Sequence, residues 1–98
     1  MIEKIGEPAM LELLAEECTE LAQACLKKAR KLRGENPTPK SMAECDRNIV
    51  EEFSDVIQCT RELKIKIDED QIEEKQLRFL TRWTAMQQSK IDSRKRHC

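Results

Sequence analysis

Apolar residues recur along this chain at three- and four-residue steps, the period of a helix face. Between Met10 and Leu32, the positions Leu11, Leu14, Cys18, Leu21, Cys25, Ala29 and Leu32 form one such stripe. They predict a long first helix over about residues 9–33. Pro8 suits its first turn, where the missing N–H costs nothing, and Gly34 ends it. Lys27, Lys28, Arg30, Lys31 and Arg33 crowd its last turns, where positive charge favours the helix dipole. Pro37 and Pro39 then predict a loop over 34–40. Ser41 and Glu44 form a capping box that opens a second helix over about 42–63. Its stripe is Ile49, Phe53, Val56, Thr60 and Leu63, with Ile57 beside it. Lys64-Ile65-Lys66-Ile67 alternates like a strand but has no partner strand, so it reads as an extended connection. Asp68 and Gln71 cap a third helix, about 68–88, with Ile67 and Ile72 placed for a hydrophobic staple. That helix carries Ile72, Leu77, Phe79, Leu80, Trp83 and Met86, and is expected to fray into a basic tail over 89–98.

The composition narrows the fold to one class. Gly numbers 2, Pro 3 and aromatics make up 3% of the 98 residues, which excludes a turn-rich sandwich or barrel. The expectation is a single all-α domain over 1–98, a helical hairpin plus a third helix. Three helices of this size make a thin core. Leftover apolar side chains such as Leu26, Ile57, Phe79 and Trp83 predict a homo-oligomer, dimer or tetramer, that completes a four-helix-type bundle. The net charge of −1 argues against a dedicated nucleic-acid binder. No apolar run reaches the ~18–20 residues of a membrane span, and the first residues have no signal-peptide core. A soluble cytoplasmic protein is expected. Five cysteines without a Cys-x-x-Cys pair, and one histidine, do not suit a zinc site.

The informative feature is an internal repeat. Glu16-Glu17-Cys18-Thr19-Glu20-Leu21-Ala22-Gln23 is matched position by position by Glu51-Glu52-Phe53-Ser54-Asp55-Val56-Ile57-Gln58. At about 100° per residue, Glu17 lies about 70° and Glu20 about 130° from the stripe Leu14/Cys18/Leu21/Cys25. Glu52 and Asp55 stand at the same angles to their own stripe. In an antiparallel hairpin, the pairing that a short loop favours, all four acids converge on one side. Four carboxylates beside an apolar seam repel one another and lose hydration. No matching group of Lys or Arg lies within a turn of them. A hard divalent cation with oxygen ligands, Mg²⁺ or Mn²⁺, would compensate them. The alternative is a solvated acidic face, the usual fate of helical glutamates.

The motif Glu16-Glu17-x-x-Glu20 followed by Glu52-x-x-Asp55 resembles the signature of the MazG-like, all-α nucleoside triphosphate pyrophosphohydrolases, over about residues 9–85. The resemblance implies a Mg²⁺-dependent dimer or tetramer that cleaves a (d)NTP to the monophosphate and pyrophosphate. By position it implies Glu17, Glu20, Glu52 and Asp55 as metal ligands, with Glu16 orienting water or serving a second ion. The 31 residues between Glu20 and Glu52 exceed the usual separation of these motifs, so the loop and its substrate contacts differ.

Lys75, Arg78 and Arg82 would bind phosphates and Trp83 would stack on a base; equally, Phe79 and Trp83 at i,i+4 suit a packed stripe. Lys28 and Lys31 would reach a triphosphate tail, or serve only as helix-end charges. A second class of function is a non-catalytic helical oligomerisation or nucleotide-binding module. A third is nucleic-acid contact through Lys90, Arg94, Lys95, Arg96 and His97.

Overall fold

The computed structural model describes residues 1–35 and 39–96, so part of the expected loop, 36–38, and His97 of the tail lie outside the described residues. The described residues form α-helices and their connections, with no strand among them. The helices are α1 (Ile2–Ile5), α2 (Glu7–Arg33), α3 (Met42–Glu62) and α4 (Glu69–Arg96). The all-α expectation is met. None of these helices is long and apolar enough to cross a membrane. The chain divides into two units, Met1–Lys66 and Ile67–Cys98.

Within the first unit α2 and α3 pack as an antiparallel hairpin. Ion pairs tie both ends: the Met1 ammonium reaches Glu62 at 3.1 Å, and Lys28 pairs with Asp46. The short α1 was not foreseen; Gly6, at φ 87°, makes the turn from it into α2. Gly34 closes α2 at φ 72°, donating to the Lys31 carbonyl while Glu35 donates to that of Arg30. These are the two bonds of a Schellman motif. Lys64 closes α3 the same way at φ 58°, donating to Arg61 while Ile65 donates to Thr60. The connection after α3 thus starts with a left-handed residue, a correction to the fully extended reading. The caps fall where the sequence put them. Ser41 Oγ accepts from the Glu44 amide at 3.2 Å, and Asp68 Oδ1 accepts from that of Gln71 at 3.1 Å.

The seam between α2 and α3 differs from the expected one. The buried residues are Met10, Ala24, Cys45 and Cys59. Met10 and Ala24 stand seven residues either side of Glu17; Cys45 and Cys59 stand seven either side of Glu52. A seven-residue step returns to nearly the same helix face. Glu17 and Glu52 therefore occupy the middle layer of the seam itself. Cys18 and Cys25, expected in the seam, are exposed, as is Phe53. The stripe facing α3 is rotated by about 70° from the one the apolar periodicity suggested. The cause is that α2 is apolar over more of its circumference than one neighbour can cover: Leu14 and Leu21 are half-buried, while Leu11, Leu26 and Leu32 face out.

The second unit is α4 with its cap. The helix runs to Arg96 rather than ending near Gln88. No Gly or Pro interrupts 69–96, Gln88 donates to Asp92 at 3.1 Å, and Arg94, Lys95 and Arg96 sit at the negative end of the dipole. By itself this unit is one helix without a core of its own.

Candidate metal centre

The hairpin brings together carboxylates from both halves of the repeat. Glu17 and Glu20, one turn apart on α2, meet Glu52 on α3, and one carboxylate oxygen of each lies within 4.8 Å of the other two. Glu17 and Glu52 are half-buried and Glu20 is exposed. Glu20 thus forms the solvent side of the trio and the seam pair its floor. Asp55 is half-buried and acts on Glu17 and Glu52 through its charge without joining the trio. Glu16 is exposed and outside it. The expected convergence of acids on one side of the hairpin holds for three of the four, with the angles shifted because the seam runs through Glu17 and Glu52.

The energetics follow from that position. Glu17 Oε2 and Glu52 Oε2 are shielded from solvent and receive no hydrogen bond from a protein donor; only a proton shared with the nearby Glu20 carboxylate would link them to it. Burial raises the proton affinity of Glu17 above the ordinary carboxylate value, and the charges of Glu20, Asp55 and Glu52 and a hydrogen-bond contact with Glu20 add to it. Glu52 moves the same way, through burial first, then its hydrogen-bond contact with Glu20 and the charges of Glu20, Asp55 and Glu51. Among the described residues, no ion pair includes Glu17, Glu20, Glu52 or Asp55. Among the described residues, the local excess of negative charge thus has no ion-paired cation against it.

The donor set fits a hard cation. Octahedral Mg²⁺ with oxygens at ~2.1 Å places ligand atoms roughly 3–4 Å apart, within the span of the trio. Three carboxylates leave the remaining positions to water or to a phosphate oxygen. Cys59 was missed by sequence reasoning. It is buried beside the cluster, and burial, followed by the charges of Glu17 and Asp55, raises its thiol pKa. It would remain a protonated, apolar wall rather than a thiolate ligand. Its position seven residues after Glu52 was the available signal.

The other expected binding residues fall elsewhere. Lys28 is engaged with Asp46 across the hairpin, and Lys31 is half-buried near the end of α2. Lys75, Arg78 and Arg82 lie in the second unit and, with Phe79, line a hollow of about 140 Å³. Arg78 also pairs with Glu74 at 3.3 Å, and Trp83 is exposed. A wider open hollow of about 590 Å³ is lined by Phe53, Ser54, Ile57, Gln58, Arg61 and Glu62. Ile57 and Arg61 place it on the side of α3 turned away from Glu52.

No protein-family model matches the chain, and neither does any curated protein or solved structure.

Proposed function

We propose that the protein is a Mg²⁺-dependent nucleoside triphosphate pyrophosphohydrolase, converting a (d)NTP and water to the (d)NMP and pyrophosphate, and that it works as a homo-oligomer. The observation that carries this reading is the pair of solvent-shielded, unpartnered carboxylate oxygens of Glu17 and Glu52 in the middle of an otherwise apolar seam. An acidic face left to solvent would not bury them there, because shielding an unpaired carboxylate costs free energy that only a bound cation or proton returns. Glu17, Glu20 and Glu52 would hold the cation, with Asp55 adding negative potential at the edge. Such an ion offsets phosphate charge and lowers the pKa of a bound water. The residues of this chain have separate tasks. The seam pair fixes the position of the centre, because each is anchored one heptad from fully packed neighbours. Glu20, exposed, faces the side from which a triphosphate would approach. The resemblance of the Glu16–Glu20 and Glu52–Asp55 motifs to the MazG-like enzymes supports the choice of substrate and bond.

The test is pyrophosphate release from a panel of NTPs and dNTPs, with Mg²⁺ and with EDTA. Metal-dependent release that Glu20→Gln abolishes, in a variant with unchanged helical content, is the expected result. Silence across the panel together with no thermal stabilisation by Mg²⁺ would leave a non-catalytic helical module.

A further inference from the structure

A second stripe of α2 lies about a quarter turn round from the line Met10–Glu17–Ala24. It consists of Leu11, Cys18, Cys25 and Leu32, again in strict seven-residue steps, and all four are exposed in the first unit, Leu11 at 48% and Leu32 at 66%. A heptad stripe of this length matches another helix of the same pitch better than an irregular surface. The order of the residues says which helix. Leu-Cys-Cys-Leu reads the same in both directions, with its midpoint between Leu21 and Ala22. An antiparallel copy therefore sets leucine toward leucine and cysteine toward cysteine.

The charges of α2 point to the same partner and direction. All five of its acids (Glu7, Glu12, Glu16, Glu17, Glu20) precede all five of its bases (Lys27, Lys28, Arg30, Lys31, Arg33). Compensation of the helix dipole accounts for the first and last turns only. An antiparallel copy sets the acidic half of each α2 along the basic half of the other, whereas a parallel copy sets acid against acid and base against base.

We propose that this stripe is covered by a second copy of the chain, the two α2 helices running antiparallel about a two-fold axis at the level of Leu21 and Ala22. This rests on the oligomeric part of the reading above and not on its catalytic part. Such an interface is isologous and self-complementary, as a closed dimer requires.

Sedimentation of the full chain tests it. Wild type is expected to be dimeric. Ala22→Arg, at an exposed position that tolerates a long side chain in the monomer, should raise the dimer dissociation constant at least about a hundredfold, because each interface would bury two unpaired guanidinium groups. Unchanged helical circular dichroism shows that this variant folds. A wild-type chain that stays monomeric would overturn both the oligomer and this face. A dimer indifferent to Ala22→Arg, or one dissolved by Trp83→Arg instead, would keep the oligomer and overturn this face in favour of α4. Direction is read independently by disulfide formation in a background of Cys18→Ala, Cys25→Ala and Cys98→Ser. In the antiparallel dimer, two copies of Leu11→Cys place their thiols about 30 Å apart along the axis and do not cross-link. A mixture of Leu11→Cys and Leu32→Cys chains does. Cross-linking of Leu11→Cys alone, and not of the mixture, would refute the arrangement.

Discussion

The carboxylate layer predicts how cation binding depends on pH. Glu17 and Glu52 both hold protons more tightly in the folded hairpin than an ordinary glutamate, whose pKa is 4.5. A hard cation takes only the ionised forms. Binding must therefore expel whatever protons the pair carries. Above both raised pKa values the count is zero and affinity is flat with pH. Below them it rises toward two, one from each seam carboxylate, so affinity falls by up to about a hundredfold per pH unit. Because the two groups share Glu20, the two protons belong to the cluster as a whole and leave in overlapping steps. The sign for the cation-free protein is opposite to ordinary acid denaturation. A raised carboxylate pKa means that the native state binds more protons than the unfolded one between 4.5 and the raised values. Stability then increases as the pH falls through that window, until the remaining carboxylates protonate. Mg²⁺ titrations by calorimetry from pH 8 to 5, in two buffers of different ionisation enthalpy, count the protons directly. Glu52→Gln should reduce the limiting count from two to one. Affinity independent of pH down to 4.5, or proton uptake on binding, would refute the placement of ionisable carboxylates in the seam.

Three further outcomes follow from the packing and the helix ends. Met10 is the one described side chain with no exposed surface, and Met10→Ala should destabilise the chain by about 2–5 kcal/mol in urea unfolding. Lys64 holds a left-handed conformation that costs a side chain roughly 1 kcal/mol, so Lys64→Gly should raise the unfolding free energy measured in urea by up to that amount. Cys45 and Cys59 are buried and the Cys59 thiol pKa is raised, so both should resist alkylation in the native protein and react at the rate of unfolding; mass spectrometry of pulse-labelled peptides locates them.

Legibility followed the range of the interactions involved. Helix ends were readable because caps are local: Ser41 with Glu44, Asp68 with Gln71, and Gly34 each close a backbone group within a few residues. The Schellman turn at Lys64 was not readable, because lysine gives no signal for φ > 0 and the alternation after it imitates a strand. α4 extends to Arg96, past the point where the polar composition predicts fraying, because polarity alone does not end a helix and no breaker follows Asp68. The acidic repeat identified three members of the trio, since its spacing fixes their relation on each helix whatever the helix rotation. That rotation itself was not legible. Periodicity finds the centre of all apolar residues on a helix, and α2 has two overlapping stripes.

The rotation decides the chemistry. Had Cys18 and Cys25 faced α3, Glu17 would stand at the rim of the seam, hydrated, with little drive to hold a cation. The heptad steps from Met10 and Ala24 to Glu17, and from Cys45 and Cys59 to Glu52, put it inside instead. The same rotation turns Leu11, Cys18, Cys25 and Leu32 outward. A carboxylate layer within the hairpin and an apolar stripe outside it are thus two consequences of one packing choice. A chain of this size that spends the middle of its seam on acids has less core to stabilise the hairpin alone. Cation binding and burial of the outer stripe against a second copy would supply that stability. The two contributions are separable, because the stripe and the trio share no residue. Mg²⁺ should therefore still stabilise a monomeric Ala22→Arg variant against heat. Loss of that stabilisation on monomerisation would show instead that the carboxylate layer depends on the second copy.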